Sequence, residues 1–380
     1  MRVETKLVHA GEPRPRHERA VAMPIYQSAT YEYAAAAADY HDVQYIRLNN
    51  TPNHAVLHAK LAALEGTEQA LVTASGMAAI SATLLSLLEA GDHLLAHDGL
   101  YGGTYDLLTK DLPRLGITTT FVDASRPDTW AAHATPRTRA FYVETITNPL
   151  AHVVALDEVA RFARERGLVS IIDNTIATPI NYRPAEHGYD LIVHSATKYL
   201  NGHSDIVAGA VAGRGALVGA IKHKLDHLGG ALDPHACFLL QRGLKTLALR
   251  IRYQNQSALE LAAFLAGHPR VRHVHYAGLE AHPDHARART WFTGTGGLFS
   301  FELDGDVAAA EALLRRVTIP LVAPSLGGPE TLITRPATTS HAGLARDVRL
   351  RQGISDHLIR ISVGLESTAD LIEDFTAALT

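Results

Sequence analysis

The chain has one cysteine, three methionines and two tryptophans among 380 residues, and no apolar run of transmembrane length. A single thiol, Cys237, excludes an internal disulfide framework and fits a reducing cytoplasm. It lies in Ala236-Cys237-Phe238-Leu239-Leu240, where a packed core thiol is the better reading than a nucleophile. Excess charge is also missing: the formal net charge of -4 leaves no basic footprint for nucleic acid or an acidic membrane surface. The opening residues Met1-Arg2-Val3-Glu4-Thr5-Lys6 lack the apolar core of a signal peptide. Together these absences predict a cytoplasmic protein with no nucleic-acid or membrane partner.

What is present is an ordinary globular composition, 47% hydrophobic and 19% charged, long enough for one large domain and a smaller one. Histidine is plentiful, at 22 residues. His273-Val274-His275 puts two imidazoles on one strand face, and His282 and His285 follow. No carboxylate or cysteine spacing completes a metal-ligand set there, so no metal site is expected.

Residues 1–49 read as an arm, rich in Pro and charge between Gly11 and Arg19, with a short helix expected over the alanine-rich segment Tyr31 to Tyr40. Residues 50–249 read as a large α/β domain. A helix from His54 to Glu65, stopped by Gly66, precedes the strand Gln69–Thr73. Ser75-Gly76-Met77 then turns into an apolar helix, an anion-binding arrangement of free backbone N–H groups and a positive dipole end. The second and third glycines of a dinucleotide fingerprint are absent. Further strands are expected near 93–96, 117–122, 140–143, 168–172, 190–193 and 208–212, with one helix from Tyr101 to Leu115 and another from His235 past Gln256. Residues 250–380 read as a smaller C-terminal α+β domain.

Several residues in this frame bear chemistry. Lys198 stands just past the strand Asp190-Leu191-Ile192-Val193, where open α/β sheets bind ligands. Ser195 and Thr197 beside it offer two hydroxyls to a phosphate. An amine next to such hydroxyls suits covalent attachment to the tethered aldehyde of pyridoxal 5'-phosphate (PLP). Asp173 ends the strand Leu168–Ile172 at the same sheet edge, placed to keep a pyridine nitrogen protonated. Tyr101 heads its helix at that edge and could stack on a planar ring. Tyr45 and Arg47 share a side if their backbone is extended. Arg360 interrupts an apolar strand, where a guanidinium needs a carboxylate from the protein or from a ligand.

These motifs, and the chain nearly end to end from Glu4-Thr5 and His9-Ala10-Gly11 to Arg360-Ile361-Ser362-Val363-Gly364-Leu365-Glu366, resemble the Cys/Met-metabolism (trans-sulfuration) family of PLP enzymes. The resemblance implies an aspartate-aminotransferase-like fold type I, with a mostly parallel central sheet. It implies that Lys198 bonds to the cofactor and moves the substrate Cα proton, assisted by Tyr101. Asp173 would pair with the ring nitrogen and Tyr101 would stack on the ring. Ser75, Gly76, Met77, Ser195 and Thr197 would bind phosphate, and Asn148 the ring hydroxyl. Tyr45 and Arg47 would reach the phosphate of a neighbouring subunit in a homotetramer built as a dimer of dimers. Arg360 would clamp the substrate α-carboxylate, with Ser325, Tyr45 and Asn148 lining its pocket.

The activity implied is γ-elimination or γ-replacement on cystathionine or an O-acyl-homoserine. Cystathionine β-lyase, methionine γ-lyase and O-acetylhomoserine sulfhydrylase activities remain alternatives, and a regulatory module that keeps the PLP fold is a non-enzymatic one. Four positions depart from the family pattern. Asn50-Thr51-Pro52 replaces Asn-Pro-Thr. Gly103 stands where methionine γ-lyases carry cysteine. Leu326 stands where common bacterial β-lyases carry tryptophan, which favours the γ-acting members. Pro324 replaces a glutamate seen in several γ-acting enzymes.

Overall fold

The computed structural model describes residues 1–33 and 43–380. The helix expected across Tyr31 to Tyr40 therefore lies mostly outside the described residues.

Seven strands form the large sheet: β1 (Gln69–Thr73), β2 (His93–His97), β3 (Thr118–Val122), β4 (Thr138–Glu144), β5 (Val169–Asp173), β6 (Leu191–His194) and β7 (Gly209–Gly213). Their order is β1-β7-β6-β5-β4-β2-β3. Only β7 runs against its neighbours; β3, β2, β4, β5 and β6 pair in parallel. Continuous apolar runs such as Leu191-Ile192-Val193 suit strands covered on both faces. Alternate residues accordingly enter two cores. Ile172 and Ile192 pack with Leu57, Leu61 and Leu64 of the helix Pro52–Glu65. Ile171 and Val193 pack on the other face with Ala79, Ile80 and Leu84 of the helix Gly76–Leu87. The result is a sheet between two helical layers.

A second sheet contains β8 (Val271–His275), β9 (Leu298–Leu303), β10 (Leu321–Val322), β11 (Leu332–Thr334) and β12 (Ile359–Ser362), in the order β10-β11-β12-β9-β8. Its core joins Phe299, Phe301 and Ile361 to Phe375 of the closing helix Thr368–Ala378 and to Leu261 and Leu265. Among the described residues no helix is long and apolar enough to cross a membrane.

Two expected helices differ in detail. Between Tyr101 and Leu115 the chain is α-helical over Gly102–Asp106, π-helical over Leu107–Asp111 and 3-10 over Leu112–Leu115. Pro113 lacks the N–H that would continue an α ladder. The long helix expected from His235 is two, Pro234–Leu244 and Leu247–Ala266. At the break the buried Arg250 guanidinium donates to the Gly243 carbonyl at 2.9 Å and to the Tyr199 carbonyl at 2.9 Å. The expected domain boundary after residue 249 falls within the second of these helices.

The first helix, Val3–His9, packs on its own chain. Lys60 Nζ donates to the Leu7 carbonyl at 3.0 Å, and Leu7 is fully buried in the large core. The departure Asn50-Thr51-Pro52 has a clear local consequence: Thr51 is the N-cap and Pro52 the first residue of the helix Pro52–Glu65, the position where proline's fixed φ and missing N–H cost nothing. Asn50 then turns back, accepting from the Tyr45 N–H at 3.0 Å and donating to the Val43 carbonyl at 2.8 Å.

Candidate active site

A cavity of about 650 Å³ opens at the carboxyl ends of β4, β5 and β6, a volume suited to a cofactor with a small substrate. It is lined by Ser75, Gly76, Met77, Tyr101, Asn148, Asp173, Ser195, Thr197, Lys198, Ser325 and Arg360. Eleven of the thirteen residues singled out in the sequence thus meet in one cleft, drawn from both sheets. Tyr45 and Arg47 do not line it within this chain. Tyr45 is exposed, and Arg47 donates to the Asp226 carbonyl at 2.9 Å. Tyr45 is extended but Ile46–Leu48 is a 3-10 turn, and the Arg47 guanidinium lies 5.6 Å from the Tyr45 ring centroid.

Ser75 caps the helix Gly76–Leu87: its hydroxyl accepts from the Ala78 N–H at 3.0 Å. Gly76 and Met77 line the cleft as the first residues of that helix, where N–H groups have no intrahelical acceptor and are available to an anion. A Cβ on Gly76 would stand 2.8 Å from Ser195 Cβ, so only glycine lets these two segments touch. Thr197 Oγ1 donates to the Ala208 carbonyl and accepts from the Ala208 N–H, each at 3.0 Å. A phosphate at Thr197 would have to replace the first of these bonds.

Lys198 leaves β6 in a tight turn. Its strand is anchored beneath by His194, whose Nε2 lies 2.6 Å from the Glu65 carboxylate, both side chains buried. Lys198 Nζ donates to Ser325 Oγ at 2.7 Å. Burial, followed by the nearby Arg360 charge, lowers the Lys198 pKa to about 8. The amine is therefore closer to its neutral, nucleophilic form than an exposed lysine.

Asp173 accepts from the Thr175 N–H at 2.9 Å, and burial raises its pKa. Glu144, paired with it in register, is pushed well above the usual carboxylate range by burial and by Asp173. Glu144 accepts from the Tyr101 N–H at 2.7 Å and so fixes where the aromatic ring begins. Gly103 lies under that ring: an added Cβ would stand 2.6 Å from Tyr101 Cε1.

On the opposite wall, Arg360 is 3% exposed. It donates to the Ser325 carbonyl at 2.8 Å, to the Asn148 amide oxygen at 3.2 Å and to Ser340 Oγ at 3.5 Å. Its Nε is buried without a partner, and among the described residues no carboxylate lies within ion-pair distance. A guanidinium so enclosed calls for an anion from outside the chain. The cleft therefore fits the expected cofactor and substrate on its own donor set: amides and hydroxyls for a phosphate, an amine of lowered pKa for an aldehyde, a buried carboxylate for a ring nitrogen, and an orphaned Nε–H for a carboxylate.

Sequence reading missed Glu144, Thr175, Thr339 and Ser340, all of which line the cleft. Glu144 ends β4 as Asp173 ends β5, so the rule that found one would have found the other. Thr339 and Ser340 sit in an irregular segment with no periodic signal.

A family model described as Cys/Met metabolism PLP-dependent enzyme matches residues 4–380. The cystathionine gamma-lyase of Bacillus subtilis is 41% identical over 380 residues, spanning 100% of this chain and 99% of that protein. The cystathionine beta-lyase MetC of the same organism is 39% identical, spanning 99% and 96%. The crystal structure of cystathionine gamma synthase from Xanthomonas oryzae pv. oryzae, in complex with aminoacrylate and cysteine, superposes with a TM-score of 0.96 at 35% identity, covering 100% of this chain and 98% of that one.

Proposed function

The chain belongs to the Cys/Met-metabolism family of PLP-dependent enzymes, and from that premise we propose that it catalyses γ-elimination or γ-replacement on cystathionine or an O-acyl-homoserine. That it is a PLP-dependent enzyme of the lyase and synthase kind acting on amino acids follows from the family itself. The choice of γ over β chemistry is the proposal. It is supported by Leu326, which lines the cleft where the common bacterial β-lyases carry tryptophan.

Bound PLP supplies an electron sink for the charge left when a substrate C–H bond breaks. The protein's part is to hold and to move protons. The Gly76 and Met77 amides, with Ser75, Ser195 and Thr197, hold the phosphate end, and Asp173 holds the ring nitrogen. Tyr101, fixed by Glu144, covers the ring. Arg360 takes the substrate α-carboxylate with the Nε–H that has no protein partner, and Asn148 and Ser325 orient its other nitrogens. Lys198 Nζ, whose pKa is about 8, would accept the Cα proton near neutral pH, pass it on and then take a proton from Cβ. Loss of the Cβ proton lets the Cγ bond break, and the substituent leaves with the electron pair and gains a proton, with Tyr101 assisting. Tyr45 and Arg47 complete the phosphate site of a second copy, which makes the working unit a homo-oligomer, a tetramer by family habit, in the cytoplasm.

The observation carrying the γ assignment is Leu326 on the wall of the cavity that Lys198 shares with the buried, carboxylate-free Arg360. Product analysis tests it. From cystathionine, γ-elimination gives cysteine, a four-carbon 2-oxo acid and ammonia, whereas β-elimination gives homocysteine, pyruvate and ammonia. From an O-acyl-homoserine and cysteine, γ-replacement gives cystathionine and the free acid. Pyruvate as the main 2-oxo acid, with no thioether formed, would overturn the γ assignment.

A further inference from the structure

Behind Asn148 a second cavity, also of about 650 Å³, opens between residues 97–100, 147–154 and 341–354, with Pro283 and Asp284 on its wall. The PLP chemistry makes no use of it. Its wall carries His152 and Asp284, and His282 is buried beside them. The donor atoms of these three side chains all lie within 4.8 Å of one another. Two more imidazoles stand close by: His275 is part-buried on β8, with the His273 ring 4.3 Å away. The sequence grouped His273, His275, His282 and His285, and Asp284 stands between the last two without having been read as a ligand. The fold adds His152 from the large-sheet side.

The hydrogen bonds around the three residues orient them and define what an ion would have to displace. His282 Nε2 lies 3.3 Å from the Leu150 carbonyl, and His282 Nδ1 lies 3.2 Å from the Asp284 N–H. Those partners assign the hydrogen to Nε2 and place the Asp284 N–H on the Nδ1 lone pair, the bond an ion at Nδ1 would have to replace. An imidazole that binds a metal through one nitrogen commonly donates its other N–H to a carbonyl in this way. Arg287 donates to Asp284 Oδ1 at 2.9 Å, while Oδ2 accepts from the Val153 N–H at 3.2 Å and lies 3.0 Å from His152 Nδ1.

We infer that His152, His282 and Asp284 form a binding site for one divalent transition cation of the zinc type. Two imidazoles and one carboxylate suit zinc, cobalt or nickel rather than calcium or magnesium, which prefer all-oxygen shells. The remaining coordination positions face the cavity, where His152, with 44% of its side chain exposed, gives the ion a way in. The cation would displace the His152 Nδ1 proton and the weak Asp284 N–H contact. The Arg287 charge opposes a dication, so binding should be weaker than at a closed structural zinc centre. Occupancy would tie the segment that carries Asn148 to residues 282–284.

The test is a titration of chelator-treated holoenzyme with Co²⁺ alone, followed by its visible d–d absorption, and displacement by Zn²⁺. The surface pair His223 and His227, with ring centroids 4.7 Å apart, is one competing place for adventitious capture. The expected result is saturation at one equivalent, with binding about tenfold or more weaker in His152→Ala and in Asp284→Asn and unchanged in His223→Ala. His152→Ala should keep the melting temperature of the metal-free wild type, so that its loss of binding is not a folding defect. Absence of a saturable band, a band indifferent to His152→Ala and Asp284→Asn, or a band removed by His223→Ala would overturn the site.

Discussion

The Lys198 amine donates a 2.7 Å hydrogen bond to the Ser325 hydroxyl, joining the functional ends of the two sheets. Ser325 adopts φ +87°, a left-handed conformation that a non-glycine residue holds only when its surroundings enforce it. Those surroundings include Arg360, which donates to the Ser325 carbonyl at 2.8 Å. One residue thus spaces the amine from the guanidinium. Ser325→Ala removes an acceptor inside the cleft at a cost of about 1–3 kcal/mol. Its kcat/KM should fall about tenfold or more, while the bound cofactor stays near wild-type level. An unchanged kcat/KM would remove Ser325 from the account.

Arg360→Lys keeps a positive charge but loses the planar fork that reaches Ser325, Asn148 and an incoming carboxylate together. A charge-assisted hydrogen bond of about 1.5–3 kcal/mol corresponds to a rise in KM of roughly tenfold to a hundredfold. Cofactor content should not change. Steady-state kinetics beside cofactor absorbance separate the two effects.

Gly103→Ala puts a methyl group where a Cβ would stand 2.6 Å from Tyr101 Cε1 and 3.2 Å from Met77 Sδ. The ring must shift, so the circular dichroism of the bound cofactor should change and kcat should fall. Global stability should move by only about 1 kcal/mol, because Tyr101 is largely exposed. An unaltered cofactor spectrum would count against ring stacking.

Stability should depend on His54 and His341, both buried, with pKa values lowered by burial to about 4. An unfolded histidine titrates near 6.5. Between these values the unfolded chain binds more protons than the folded one, so stability is full above about pH 6.5 and declines as pH falls toward 4. Each imidazole contributes on the order of a few kcal/mol to that decline. In urea titrations the stability difference between wild type and His54→Gln should narrow as pH drops from 7 to 5. A constant difference would contradict the assignment.

Much of this cleft was legible because strand ends are. Asp173 and Lys198 follow apolar, β-branched runs, and the parallel pairing of β5 with β6 brings them to one edge. Ser75-Gly76-Met77 was legible for a similar reason, as small residues between a strand and an apolar helix. What stayed hidden depends on long-range packing. The break after Leu244 exists because Arg250 reaches back to Gly243, a contact no propensity reveals. Ser340 reaches Arg360 from an irregular segment, and His152 meets Asp284 across two sheets. The 3-10 turn at Ile46–Leu48 replaced an expected extended backbone, yet kept Tyr45 and Arg47 together.

The central claim is that Lys198 is the amine that bonds to the cofactor. Borohydride reduction of the holoenzyme followed by peptide mass spectrometry tests it directly. The account predicts a pyridoxyl-phosphate adduct on Lys198 and none in Lys198→Ala. An adduct on Lys60, Lys222 or Lys245 instead, or a coloured holoenzyme that yields no adduct at all, would contradict it.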